Sequence, residues 1–219
     1  MKDFVYRNTK VKMYSKYVND HIFNTIVRSG TFYEIKLLNA ISGLGLRGVY
    51  VDVGSNIGNH TVYFALFTKA DQVVSIEIHP EIYENLLHNI SLNPSAKYYP
   101  INVGVGTENE KVSVSVINKS NVGMTHVTKD CGCLEIKKLD DLLDGLGKIS
   151  LIKIDIEGYE LKAIKGALNV INKHKPVLIV ECRTETEFDE VNDFLEPISY
   201  HTDKVNYAHT PTYIWINMN

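Results

Sequence analysis

A single α/β domain on a doubly wound, mostly parallel sheet is the fold this sequence predicts. Three observations carry it. From residue 48 onward, short apolar runs of strand type alternate with segments of helical spacing. Glycines bound the first of these runs and recur in the turn that leads from it into a helix. The last two strand-like runs follow one another with no room for a helix between them. At 219 residues the chain suits one domain with a substantial core.

The elements are justified in order. Residues 1–45 carry scattered aromatics and helical apolar spacing (Ile22 and Ile26, then Ile35, Leu38 and Ile41), which predicts an N-terminal helical extension. Gly43, Gly45 and Gly48 end it, and residues 46–219 are expected to form the main domain. Val49–Val53 reads as a strand, His60–Thr68 as a helix and Val73–Ile76 as a second strand. Pro80 stands at a favoured first-turn position of a helix whose apolar face is Ile82, Leu86 and Ile90. Tyr98–Val103 is a third strand, and Lys111–Val116 alternates like a strand exposed on one side. A short helix over Leu139–Leu146 precedes the strand Ser150–Ile154. Leu161, Ile164, Leu168 and Ile171 mark one amphipathic helix, Val177–Val180 a fifth core strand, and Phe188, Val191 and Leu195 a further helix. Ile198–His201 and Thr212–Ile216 close the chain as a hairpin at one edge. The sum is a Rossmann-like, seven-stranded sheet with helices on both faces and an antiparallel last strand. Ligands of such sheets bind outside the carboxyl ends of the strands, where the strand order reverses.

Composition narrows the partners. A net charge of −3 predicts no strong attraction to nucleic acid or to an anionic membrane surface. No apolar run approaches the roughly 20 residues that span a bilayer, and MKDFVYRNTK lacks the apolar stretch of a signal peptide. Cys131, Cys133 and Cys182 lack the partners of a zinc site and read as free thiols in a reducing compartment, so a cytoplasmic location is expected.

The turn Asp52-Val53-Gly54-Ser55-Asn56-Ile57-Gly58 ends the first strand and opens a helix. Gly54 permits a sharp turn and close approach of a ligand to the backbone. Gly58 would let the helix pack closely on the sheet, and Asn56 tolerates left-handed angles. The spacing is G-x-N-x-G, whereas dinucleotide sites use G-x-G-x-x-G to seat a pyrophosphate on a helix N-terminus. S-adenosylmethionine has no phosphate, and its charged amino acid end suits Asp52 and the backbone of the turn. Glu77, closing the second strand, is placed to accept hydrogen bonds from two ribose hydroxyls. The adenine would lie near Asn102–Gly106, with Asn102 and Val103 as contacts. Ser55, Asn59 and Thr61 complete the expected cofactor set.

A second constellation closes the fourth core strand: Lys153-Ile154-Asp155-Ile156-Glu157-Gly158. In an extended chain Lys153, Asp155 and Glu157 share one face. Ionisable groups in a central strand are costly unless paired or functional. A carboxylate within reach of an acceptor hydroxyl can take its proton as a methyl group arrives, and two close carboxylates raise one pKa. Asp155 or Glu157 is therefore the expected base, positioned by Lys153, with Glu181 a further catalytic candidate at the same sheet edge. Magnesium is not expected; were one held, Asp155 and Glu181 would be its ligands.

With these residues in view, the sequence resembles the FkbM methyltransferase family over most of Gly48–Cys182. The resemblance rests on VDVGSNIGNHT, SIEIHPEIYENLLHNISLN, LIKIDIEGYELKAIKGA and KPVLIVEC. It implies a class I methyltransferase fold and methyl transfer from S-adenosylmethionine to oxygen, on sugars of glycans or on natural-product hydroxyls. It also implies cofactor contacts by Asp52, Gly54, Asn56, Gly58 and Glu77, with Asp155 and Glu157 facing the acceptor. One departure is Thr107 after Gly106, where the family often has aspartate. TFYE (Thr31–Glu34) resembles a family feature before the first strand, which would let Tyr33 and Glu34 close over cofactor or acceptor. His60, opening a helix beside the glycine turn, is a third substrate-side candidate. Tyr200, Tyr207, Tyr213, His201 and His209 gather near Asp203–Thr210, a composition suited to stacking on a sugar ring or to a strand surface. The expectation is an O-methyltransferase acting on a sugar hydroxyl; a natural-product acceptor, a nucleic-acid methyltransferase and a noncatalytic S-adenosylmethionine-binding module are the rivals.

Overall fold

A two-residue turn at Arg7–Asn8, with φ of 46° and 64°, opens the structure. It joins β1 (Lys2–Tyr6) to β2 (Thr9–Met13) as an antiparallel hairpin, in register from Tyr6 opposite Thr9 to Lys2 opposite Met13. Two positive φ angles in a row match the twist of the flanking strands, and asparagine tolerates one of them. The first 45 residues are thus a hairpin followed by the two expected helices, α1 (His21–Ser29) and α2 (Ile35–Gly43). Asp20 caps α1, its carboxylate accepting from Phe23 N at 2.9 Å. The computed structural model describes residues 1–116, 125–128 and 134–219; Cys131 and Cys133 lie outside them.

The core follows as β3 (Gly48–Val53), α3 (Asn59–Phe67), β4 (Ala70–Ile76), α4 (Pro80–Leu92) and β5 (Tyr98–Ile101). Then come β6 (Gly104–Val105), β7 (Glu110–Val116), β8 (Thr125–Thr128) and β9 (Leu134–Lys137), which pair as a small separate sheet that sequence periodicity did not assemble. The second half runs α5 (Leu139–Leu142), β10 (Ile149–Ile154), α6 (Glu160–Lys165), α7 (Leu168–His174), β11 (Val177–Glu181) and α8 (Glu185–Leu195). The edge strands β12 (Tyr200–Thr202) and β13 (Thr212–Asn217) end it.

The main sheet has seven strands in the order β12-β13-β11-β10-β3-β4-β5. The pairs from β11 through β5 are parallel, and β13 runs antiparallel to both its neighbours. This is the expected class I methyltransferase sheet, and its order reverses between β3 and β10. Side chains alternate across it. Val49, Val51, Val53, Ile152 and Ile154 join one core with α6, α7 and α8; Tyr50 and Leu151 join the other with α1, α2 and α3. Asp52 and Lys153 follow the second alternation and are register partners on adjacent strands. No helix among the described residues is long and apolar enough to cross a membrane.

One predicted helix is two. The spacing Leu161-Ile164-Leu168-Ile171 is unbroken, yet the helix stops at Lys165 and restarts at Leu168. Asp140, on α5, accepts from Val170 N at 2.9 Å and Asn169 N at 3.2 Å, capping the second piece from outside. Gly166 meanwhile packs so tightly that a Cβ there would overlap the carbonyl oxygen of Gly106.

Side-chain amides dock the hairpin. Asn93 Oδ1 accepts from Lys12 N at 3.0 Å, and its Nδ2 donates to Lys12 O at 2.6 Å. Asn89 does the same at Tyr14 (2.8 and 2.9 Å) and also donates to Ile57 O at 2.8 Å in the glycine turn. Asn89 on α4 and Asn93 at its C-terminal cap thereby imitate a strand beside β2. Asn89→Ala would strand these buried groups; it is expected to cost about 2–3 kcal/mol, read by urea unfolding, and to speed amide exchange at Tyr14.

Candidate functional site

The turn after β3 is held in three left-handed steps: Gly54 (φ 75°), Asn56 (φ 49°) and Gly58 (φ 88°). Gly54 N and Ser55 N donate to Ile76 O at 2.9 and 3.0 Å, tying the turn to β4. Asn56 Oδ1 accepts from Ile57 N at 2.7 Å. Gly58 does make a close approach, but to α4 and not to the sheet: a Cβ there would come within 2.6 Å of Leu86 Cδ1. Glu77 Oε2 accepts from Asn56 N and Oε1 from His79 N, both at 2.9 Å. Burial pushes the Glu77 carboxyl up to about 7, against the pull of those two amides.

Beside this turn lies a cavity of about 420 Å³ at the carboxyl ends of β3, β4, β10 and β11. One end is apolar, lined by Ile78, Ile82, Val103, Val105 and Ile136. The other gathers Glu34, His60, Lys153, Asp155, Glu157 and Glu181. Gly54, Ser55, Asn56, Asn59, Glu77 and Tyr33 line the space as well. Four residues expected at the cofactor are not among those lining this cavity. Asp52 and Thr61 are buried behind the wall, Thr61 Oγ1 donating to Asp52 Oδ2 at 2.6 Å. Gly58 closes the turn at the start of α3 and packs against Leu86 of α4. Asn102 spends its amide on Glu77 O and Ile78 O at 2.6 and 3.1 Å, which shapes the loop at the apolar end.

Lys153 organises the polar end. Its Nζ is buried, 3.2 Å from Asp155 Oδ2, 3.5 Å from Asp52 Oδ1 and 3.3 Å from Gly54 O, to which it donates. Burial works against the ammonium, but Asp155 and then Asp52 outweigh it and hold Lys153 above its ordinary range. Burial works equally against the Asp155 carboxylate; Lys153 prevails and keeps it below the usual range. Glu181 has no ion pair among the described residues, and the pull of Lys153 on it is outweighed. Burial, then the neighbouring Asp155 charge, pushes it up to about 9. Glu157 leaves the face that strand alternation assigned to it. The strand ends at Ile154, Glu157 turns at φ 56°, and its carboxylate meets Arg183 Nη1 at 2.8 Å. Burial and Asp155 still raise Glu157, with Arg183 opposing.

Glu181 carries a test. Between its ordinary 4.5 and about 9 the folded chain keeps a proton that the unfolded chain releases, so this group's contribution falls as pH rises through that window. Glu181→Gln, which cannot ionise, is expected to raise Tm by roughly 2–4 °C at about pH 8 and to leave it nearly unchanged near pH 5. Thermal scans at both values check it.

A segment before β3 covers the cavity. Asn59 Oδ1 accepts from Tyr33 N and its Nδ2 donates to Tyr33 O, each at 3.0 Å, clamping that backbone over α3. Glu34 follows at φ 54° and sets its Oε2 3.2 Å from His60 Nε2, both side chains being about 8% exposed. Tyr17 and His21 from the N-terminal segment and His209 and Thr210 from the β12–β13 loop also line the space. No spacing in the sequence signalled the first two, because docking of the extension brings them there. Glu160 was missed too: its carboxylate accepts from Ile156 N and Gly158 N, bracing the turn that carries Glu157. A buried acid one turn past a strand was its signal.

Residues 52–205 match the family model described as the methyltransferase FkbM domain. The chain is 29% identical over 156 residues to the hexuronic acid methyltransferase AglP of Haloferax volcanii, covering 69% of this chain and 63% of that protein. A crystal structure of methyltransferase FkbM from Methylobacillus flagellatus aligns with TM-score 0.58 at 23% identity, over 80% of this chain and 45% of that one. An rRNA methylase from Streptococcus thermophilus aligns with TM-score 0.55 at 12% identity, over 85% and 97%. The present chain therefore spans under two-thirds of the curated relative and under half of the FkbM crystal structure.

Proposed function

The chain belongs to the FkbM methyltransferase family, and from that premise we propose that it methylates a hydroxyl oxygen of a sugar, within a glycan or glycoconjugate, at the expense of S-adenosylmethionine. The observation that carries this reading is the two-ended cavity. Its apolar end suits a flat base, Glu77 stands where ribose hydroxyls would donate, and the far end presents carboxylates that accept from hydroxyls.

When bound, S-adenosylmethionine supplies an electrophilic methyl group on a sulfonium. Ile78, Ile82 and Val103 would hold its base, Glu77 its ribose, and the Gly54–Asn56 backbone its amino acid end. Asp155, kept ionised by Lys153, would accept a hydrogen bond from the acceptor; Glu181, protonated at neutral pH, would donate one. Glu157 and Arg183 border the same end. In this reading residues 46–219 form the catalytic unit and residues 1–45 cover it. The Lys153 ammonium already supplies the positive charge beside Asp155, so turnover is expected to be insensitive to EDTA.

The relative from Haloferax volcanii, a hexuronic acid methyltransferase by name, supports a sugar acceptor. An acidic cavity lined by Glu34, Asp155 and Glu157 is poorly suited to an RNA backbone. Calorimetry with S-adenosylhomocysteine and NAD, followed by labelled methyl transfer to sugars, nucleotide sugars and oligosaccharides, tests the proposal. S-adenosylhomocysteine should bind and NAD should not, and label should appear as an alkali-stable ether. Binding without transfer to any sugar would favour the noncatalytic module instead.

A further inference from the structure

The acceptor must lose a proton, and the polar end of the cavity offers several groups that could take it. Asp155 is engaged by the Lys153 ammonium at 3.2 Å, and Glu157 by Arg183 at 2.8 Å. Glu181 already holds a proton at neutral pH, because burial and Asp155 deny it a charge. These are positioning groups. His60 is of another kind: it is engaged by an anion and bound to no cation.

We propose that His60, oriented by Glu34, is the catalytic base that receives the acceptor's proton. The inference rests on the functional reading above. His60 lies in the first turn of α3 and lines the cavity. Its Nε2 is sealed from water, makes no hydrogen bond to any described residue, and stands 3.2 Å from Glu34 Oε2, within ion-pair distance of that carboxylate. The placement of Glu34 is built at some cost. Its φ of 54° is a left-handed angle that L residues rarely adopt, and its side chain makes no capping bond to α2, the helix it precedes. The residue on each side of the pair is fixed as well: Asn59, adjacent to His60, clamps the backbone of Tyr33, adjacent to Glu34. Two separate segments are thus locked together at the point where the pair meets.

A carboxylate at Nε2 favours the tautomer with the proton on Nε2, which leaves the lone pair on Nδ1. The acceptor O–H bond then breaks as its oxygen bonds to the methyl carbon; the proton goes to Nδ1, and the carbon–sulfur pair stays on sulfur. Glu34 stabilises the imidazolium until the proton passes to solvent. Glu34 stands against His60 and Asp155 feels its charge; the other titratable groups that line the same cavity include Tyr33 from the covering segment, Lys153 from β10 and Glu181 from β11.

The first test needs no cofactor. Nitrogen-15 NMR of the protein alone should show His60 as the Nε2–H tautomer, and Glu34→Leu should weaken that preference; an Nδ1–H tautomer in the unsubstituted chain overturns the proposal. The second uses the best acceptor from a panel of methyl hexopyranosides and methyl hexopyranosiduronates. His60→Gln and His60→Asn should each lower kcat by about 100-fold or more. S-adenosylhomocysteine affinity should change less than about twofold, showing an intact fold. Near-normal kcat in both variants, with turnover lost in Asp155→Asn, moves the base to Asp155 and sinks the inference. If the unsubstituted protein binds S-adenosylhomocysteine and methylates no sugar, the functional reading itself falls, and the tautomer separately decides whether the pair is built as described.

Discussion

Lys153→Met is expected to bring the protein close to unfolding at neutral pH. The ammonium is buried between Asp52 and Asp155, at 3.5 and 3.2 Å, and methionine fills similar volume without charge. Two buried carboxylates of like sign would then lack their shared cation, Asp52 keeping the Thr61 hydroxyl and Asp155 its contact with Glu181. Removing one partner of a buried ion cluster costs about 3–5 kcal/mol, against a total stability of about 5–15 kcal/mol for a domain. The sign with pH is distinctive. Lys153 is held above its ordinary range, so its contribution is complete at neutral pH and is lost only at high alkalinity. In the variant the stranded carboxylates are relieved by protonation, so the deficit should shrink as pH falls toward 4. Urea midpoints across pH measure this, and Asp155→Asn placed on Lys153→Met should recover part of the loss. A midpoint unchanged at pH 7 would show that the cluster is not held as a unit.

Gly54→Ala should be nearly as severe, for a steric reason. At φ 75° an alanine costs about 1–2 kcal/mol, and its Cβ would overlap the Asp155 carbonyl oxygen while standing 3.0 Å from Ile156 Cγ2. Neither neighbour is a flexible side-chain end. The carboxyl ends of β3 and β10 would have to part at the place where the sheet order reverses, taking the Lys153 cluster with them. We expect a loss of about 3 kcal/mol or more in stability and at least a tenfold weaker affinity for S-adenosylhomocysteine. Unfolding and calorimetry at a temperature where the variant is folded separate the two. Ser55→Ala, which removes only a hydroxyl bond to Asp52 O at 2.7 Å, is the mild comparison at about 1 kcal/mol.

The sheet was legible because its central strands are buried on both faces and so read as continuous apolar runs. The glycine turn was legible because left-handed angles select glycine and asparagine, and Gly54, Asn56 and Gly58 occupy them. The hairpin escaped notice because Arg7 takes the same region without being a usual residue for it. The break after Lys165 depends on Asp140, which is remote in sequence, so local periodicity could not show it. Alternation along β3 gave Asp52 a face but not a depth: that face lies under α3, where Thr61 and Lys153 meet it. Alternation failed at Glu157 once φ changed sign. Tyr17 and His21 reach the cavity only through tertiary docking, to which no residue pattern in their segment points, whereas the aromatic and histidine cluster around Asp203–Thr210 did draw attention to His209.

Glu34 and Glu157 share one peculiarity, φ angles of 54° and 56°. A protein engineer asking only for heat resistance would replace both by glycine or asparagine, residues at ease in that region, and the backbone would reward the choice. The cavity would lose two of its acids in the exchange. Thermostability and the chemistry of the cavity therefore pull in opposite directions at two identifiable positions, and consensus-style stabilisation of this chain should begin by leaving them alone.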